Sequence, residues 1–228
     1  MSMDGLRINA PEVQNGIVAG SALRRIPKQE RSRDRIDEIL KVAMDLIGRK
    51  GIDAVTMKEI ASLSGGPIAS VYQYFPNKSA IISTLYDRYI ADVRSFFEPG
   101  LGRISSPDDI ARTTDALIDL YSLLVRNHPP IQDLINAIQA DKMLADRDIA
   151  ETRKIAVMFV EATQRFIAES ERERYMCTAF MMCHLTVSCV RLALKVPARE
   201  GDQIIADFKA SIRVQISSFL PIEETIAA

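Results

Sequence analysis

With 228 residues, 47% of them apolar and none of them tryptophan, the chain has ample material for an aliphatic core, in one domain with an appendage or in two small ones. Its three cysteines all fall between 177 and 189, which excludes a disulfide framework and suits a reducing compartment. Charge nearly cancels at 29 basic against 30 acidic residues, but Arg24–Lys78 holds 11 basic and 7 acidic, leaving 18 and 23 elsewhere, so an anionic partner is expected for the amino-terminal third.

Residues 1–30 show no hydrophobic period and hold scattered Gly, Pro and Asn. They are expected to form a mobile arm ending in the basic cluster Arg24, Arg25, Lys28, Arg31, Arg33 and Arg35. No apolar run follows Met1–Asp4, so no secretory signal is expected and the cytoplasm is the expected location. The first helix is predicted from about Ser32 to Lys50. Ile36, Ile39, Leu40, Ala43, Leu46 and Ile47 share one face, and Gly51 supplies the left-handed stop. Thr56-Met57-Lys58-Glu59 is the pattern of a capping box, in which Thr56 caps a backbone amide and Glu59 reaches back. That second helix is short and ends near Leu63. Ser64-Gly65-Gly66 makes a turn, Pro67 opens a third helix, and Pro76 stops it after Phe75. Asn77 can cap a fourth, running to about Phe97.

The pattern stays helical to the end. Ser106-Pro107-Asp108-Asp109 is a strong helix start for a stripe of Ile110, Leu117, Ile118, Tyr121 and Leu124. A short helix carries Ile131 to Ile138, and a longer one Ile155 to Phe166. An apolar helix runs from Tyr175 to Leu194, and a last one from Ile204 to Phe219 is stopped by Pro221. No alternating strand and no repeat is found. The fold class is therefore all-α, with about nine helices.

Two short helices joined by a tight Gly turn and braced by a longer first helix make a helix-turn-helix, whose second short helix enters the DNA major groove. Spacing puts Ile68, Val71 and Phe75 on its core side. Ala69, Ser70, Gln73 and Tyr74 are left on or near the outer side, with Tyr72 at the border. Small side chains at 69 and 70 let the backbone approach DNA, and Gln73 can pair with a base edge. Lys78 supplies a charge close by.

These residues carry a resemblance. Val55-Thr56-Met57-Lys58-Glu59-Ile60-Ala61 and Ser70-Val71-Tyr72-Gln73-Tyr74-Phe75-Pro76-Asn77-Lys78 closely resemble the amino-terminal motif of the TetR/AcrR transcriptional regulators, over residues 31–80. The resemblance implies that Thr56 and Lys58 meet the DNA backbone, that Ser70 takes the family's hydroxyl position, and that Tyr72 and Lys78 contact phosphates. Gln73 and Tyr74 would occupy the family's variable reading positions. Apart from the resemblance, small Ala69 is expected close to the groove, and Arg31 or Arg33, the arm cations nearest the ordered domain, is expected to reach DNA. The chain departs from the family at the turn, where Gly66 replaces an apolar residue, Pro67 a Ser cap and Ala69 a Gly. These departures bear on how the third helix is set.

Beyond the flexible arm over 1–30, the resemblance further implies a DNA-binding domain over 31–78 and an effector-binding, dimerising domain over 79–228. The function expected is a ligand-responsive regulator, a repressor, acting on palindromic double-stranded operator DNA as a homodimer. The competing reading is a small-molecule-binding helical protein with no sequence-specific DNA role. Tyr121, Met158, Phe159, Phe166 and Met181 are candidates for the wall of a pocket for a small apolar effector, since Met and aromatics line adaptable sites. The helices of Tyr175–Leu194 and Ile204–Leu220 are the expected dimer interface. The first is long enough to mimic a membrane span, but His184, Ser188 and Arg191 interrupt it, so no membrane role is expected. Cysteines six apart rotate by about 240° on a helix, so the three cannot converge on one ion. Neither metal nor cofactor is expected. His128 and His184 lie on separate elements and no nucleophile or phosphate-loop motif is found, so no enzyme is expected.

Overall fold

The computed structural model describes residues 30–220. Residues 1–29 of the expected arm, with Arg24, Arg25 and Lys28, and the expected stop at Pro221 lie outside the described residues, whereas Arg31, Arg33 and Arg35 of the same basic cluster stand on the first helix rather than in an arm. Those residues form nine α-helices and no strand: α1 (Glu30–Lys50), α2 (Met57–Leu63), α3 (Ile68–Tyr74), α4 (Lys78–Leu101), α5 (Pro107–Asn127), α6 (Pro130–Ala140), α7 (Lys142–Thr163), α8 (Arg172–Ala193) and α9 (Ala198–Ser217). Two single 3-10 turns join α7 to α8.

The local signals act where the sequence places them, with some differences. Gly51 ends α1 in the left-handed region at φ 73°. Thr56 Oγ1 accepts from the Glu59 amide at 3.2 Å, which caps α2. The reciprocal half of the capping box is absent, because the Glu59 carboxylate pairs with Lys50 across the loop instead. Asn77 caps α4 by accepting from the Ala80 amide at 2.9 Å. That helix runs past Phe97 and through Pro99, since the last turn still closes from the Gly102 amide to the Glu98 carbonyl. At the start of α5, Asp109 accepts from the hydroxyl and amide of Ser105 and from Ser106, which holds its carboxyl well below the usual range. The seventh helix begins at Lys142, three turns before its apolar stripe. Those turns are charged and show no hydrophobic period, and Asp141 caps them by accepting from Met143 and Leu144.

Two apolar cores result. The first joins α1, α2 and α3 to the front half of α4 and to α6, with Tyr121 and Val125 of α5, Leu144 of α7 and Val190 of α8 at its edge. The second joins the rear of α4 to α5, α7, α8 and α9. Along α4, Ala80 to Val93 belong to the first and Leu101 to the second, and Phe96 between them packs against each. On one side α1 lies close to α6, where a Cβ on Gly48 would fall 2.9 Å from the Pro130 ring.

Candidate nucleic-acid interface and apolar cavity

The turn between α2 and α3 is built on backbone. The Ser64 amide bonds to the Ile60 carbonyl at 2.9 Å, and the Gly66 amide to the Ala61 carbonyl at 3.2 Å. Gly65 takes φ 72°, a conformation that favours glycine. From this turn α3 rises with Val71, Tyr74 and Phe75 buried, the i, i+3, i+4 side of a two-turn helix.

That phase corrects the sequence reading at two positions. Tyr74 is 7% exposed and belongs to the first core, so it is not a base reader; Ile68 is 41% exposed and is not core. At 100° per residue both lie about 60° from Val71, one on each side, so spacing alone fits either choice. Burying Tyr74 puts the larger side chain into the core. The outward face is then Ile68, Ala69, Tyr72 and Gln73, all exposed. Arg33 on α1, the cap Thr56, and Lys58 on α2 are exposed as well, and neither Arg33 nor Lys58 forms an ion pair among the described residues.

Lys78 and Ser70 are not free to act as expected. The Lys78 ammonium donates to the Ile52 carbonyl at 2.6 Å and to the Val55 carbonyl at 3.0 Å, so it ties α4 to the α1–α2 loop rather than offering a mobile charge. Ser70 is half-buried, and its hydroxyl accepts from Arg35 Nε at 3.2 Å. The same guanidinium donates to the Ser64 carbonyl. Arg35 thus clamps both the turn and α3 from α1. It counts in the sequence only as one more arm cation, and no local signal marks its role. It also accounts for Gly66: a Cβ there would stand 2.7 Å from Arg35 Nη2. The guanidinium occupies the room an apolar turn residue would take.

Behind this head an open cavity of about 130 Å³ lies between α4, α5, α7, α8 and α9. Its wall is overwhelmingly apolar, with Val93, Phe96, Leu117, Phe159, Ile212 and Ile216 among its residues. Tyr89 and Tyr121 meet through their hydroxyls at 2.9 Å, and burial pushes the Tyr121 phenol up to about 12. Among the described residues Asp148 is the one carboxylate in the wall, and no Lys, Arg or His lines it. Tyr86 of α4 donates to Asp148 at 2.8 Å.

Of the expected pocket residues, Tyr121 and Phe159 line this wall. Met158 and Phe166 are half-buried beside the second core and Met181 is 47% exposed, so these three do not line it. Met182, one helical step from Met181, does. Composition suggests which residue types line a cavity; only helix phase selects which of two adjacent Met faces in. Cys183 also lines the wall, its thiol pushed up to about 12 by burial, while Cys177 is exposed. Among the described residues no His, Cys, Asp and Glu group is placed to hold a metal ion.

By length and composition α8 could cross a membrane. Here it packs against α7 and α9 through Tyr175, Ala179, Val190 and Ala193, and leaves Met181, Leu185 and Leu192 exposed on its other side.

Comparison with known proteins agrees with this geometry part by part. The profile of bacterial regulatory proteins of the tetR family matches residues 39–85, the span of α1 to the front of α4. The profile of the tetracycline repressor-like C-terminal domain matches residues 108–220. The chain is 31% identical over 112 residues to YdeS of Bacillus subtilis, an uncharacterized HTH-type transcriptional regulator, covering 47% of this chain and 52% of that one. It spans about half the length of the curated relatives it matches. A TetR-family regulator from Streptomyces coelicolor has the same fold at TM-score 0.64 and 19% identity, over 84% of this chain and all of that one. SmeT in its triclosan complex has it at TM-score 0.61 and 13% identity, over 78% and 91%. An amino-terminal helix-turn-helix in one profile and the helices around the cavity in the other are the two halves of a single architecture, and the chain belongs to the TetR family of bacterial regulatory proteins.

Proposed function

We propose that the chain is a ligand-responsive transcriptional regulator, a repressor, that binds palindromic operator DNA as a homodimer. Residues 31–78 are the reading head, and residues 79–228 bind the effector and dimerise. The observation that carries this is the outward face of α3: Ile68, Ala69, Tyr72 and Gln73 stand exposed on a helix whose other side is locked by Val71, Tyr74 and Phe75. A short helix with a rigid back and an exposed, mixed front suits the major groove. Exposed Thr56, Lys58 and Arg33 are suited to the flanking phosphates.

The apolar cavity supports a small apolar effector, as does the triclosan complex of SmeT, which shares the fold. With one carboxylate and no base among the described residues of its wall, the cavity favours neutral or cationic molecules over anions. The exposed apolar side of α8 and the adjoining α9, where Val214 is 70% exposed, supply the dimer interface. Such a dimer sets two reading heads about one DNA turn apart. An effector releases DNA by favouring another spacing of the heads. Work on chromosomal DNA places the protein in the cytoplasm.

The test is selection of bound duplexes from a random DNA pool, with affinity followed against salt. A palindromic consensus whose affinity falls steeply with salt is expected. Recovery of no enriched sequence would refute the DNA-reading part.

A further inference from the structure

The exposed isoleucine of α3 belongs to neither apolar core. Ile68 is 41% exposed, while Val71, Tyr74 and Phe75 fill the core side of the same helix. Ile68 and Tyr72 are four residues apart and share one edge of the outward face, beside the methyl of Ala69. A single exposed isoleucine needs no explanation on an ordinary surface. On a face that must enter a groove it does, because an apolar side chain there displaces water that polar base edges would otherwise keep. One group in the major groove suits it: the C5-methyl of thymine, the sole apolar feature that a base pair presents there. The same head exposes Arg31, Arg33, Lys41 and Lys58, which complement the charge of the phosphates on either side.

We infer that Ile68 is a specificity-determining residue that reads a thymine methyl in each operator half-site. Gln73 reads hydrogen-bonding edges on the other side of the same face, so α3 combines an apolar reader with a polar one. The inference rests on the DNA-binding function proposed above, and its test separates the two. Duplexes carrying the consensus selected by the wild-type protein are made with each thymine replaced singly by deoxyuridine, which removes only the methyl. Affinities are measured for the wild type and for Ile68→Ala.

One half-site thymine should be methyl-sensitive for the wild type. Its replacement should cost about fourfold in one half-site and about fifteenfold in both. Ile68→Ala should bind thymine and uracil duplexes alike while melting at nearly the wild-type temperature, because the side chain is exposed. A consensus with no methyl-sensitive position, or a sensitivity that persists undiminished in Ile68→Ala, overturns the inference and leaves DNA binding intact. A selection that enriches no sequence overturns both.

Discussion

Replacing Gly66 by alanine probes how the reading helix is held. Among the described residues only Gly51 and Gly65 take positive φ, so alanine at 66 adds no backbone strain. By narrowing the unfolded chain it would by itself stabilise by about 0.4–1 kcal/mol. Its methyl, however, would stand 2.7 Å from Arg35 Nη2. The guanidinium is the end of a flexible side chain and will swing away, giving up its bonds to the Ser64 carbonyl and the Ser70 hydroxyl. Bonds from a charged donor are worth about 1.5–3 kcal/mol each when well shielded. Arg35 is only half-buried and water replaces part of the loss, so about 1–2 kcal/mol for the pair is a fair figure. Gly66→Ala alone should then destabilise by about 0.5–1 kcal/mol. In an Arg35→Ala background the clash is gone, and the same change should stabilise by about 0.5 kcal/mol. Urea denaturation of the wild type, both single variants and the double variant reads this change of sign as a coupling of about 1–2 kcal/mol. If Gly66→Ala costs the same in both backgrounds, Arg35 does not hold the turn and the account of Gly66 is wrong.

Four further outcomes follow from the same geometry. Lys78→Met should destabilise by about 2 kcal/mol, a fall in Tm of about 5 °C, because the Ile52 and Val55 carbonyls lose their donor; an unchanged Tm would free Lys78 for the DNA contact first expected of it. Gly201→Ala should cost more than about 2 kcal/mol in denaturant, since its Cβ would overlap the Ala193 carbonyl of α8, while Gly102→Ala, with nothing nearer than 3.7 Å, serves as the mild control. Burial raises the folded-state pKa of both Tyr121 and Tyr175 to about 12 against an ordinary 10.0, so their contribution is complete below pH 10 and is lost as pH rises towards 12. Denaturation at pH 9 and pH 11 should show that loss, and Tyr175→Phe should reduce it. Phe96→Ala should leave operator affinity within about twofold but raise the effector concentration for half-release about tenfold, since Phe96 touches both cores; release at unchanged concentration would remove it from the route.

The helices and the head were legible because their signals are local. Gly51, Thr56, Asn77 and the Ser106–Asp109 start each act within four residues, and the apolar stripes of α1, α5 and α9 have several turns in which to declare a phase. What escaped was of two kinds. Where an element is short, its phase is undetermined: seven residues of α3 fit either Ile68 or Tyr74 as core, and only the volume available behind the helix decides. Where a contact spans the chain, nothing local records it. Arg35 meets Ser70 across 35 residues and Lys78 meets Ile52 across 26, so one looked like an arm cation and the other like a phosphate contact. Charged turns hid the start of α7 in the same way, because its cap at Asp141 lies well ahead of any apolar stripe.

The placement of α4 supports the proposed coupling of a ligand to DNA. Its first turns, Ala80 to Tyr86, are packed into the core of the head, and Lys78 ties its start to the loop before α2. Further along, Tyr89, Val93 and Phe96 form part of the cavity wall. The ion pairs of Arg147 with Asp87 and of Arg94 with Glu151 bind the same helix to α7, beside the bond from Tyr86 to Asp148. A rigid helix gripped at one end by the reading head cannot tilt at the cavity without carrying α3 with it. The energetic demand is modest. A ligand that binds one tilt about 100-fold better than the other shifts the balance by about 2.7 kcal/mol, which is within reach of a few apolar contacts. The polar ties between α4 and α7 resist a simple slide, because their carboxylates are mostly buried, Asp87 15% and Glu151 12% exposed, and a broken pair would leave a poorly solvated charge. The motion expected of an effector therefore keeps these pairs: a tilt of α4 together with the facing turns of α7, rather than a repacking of either core.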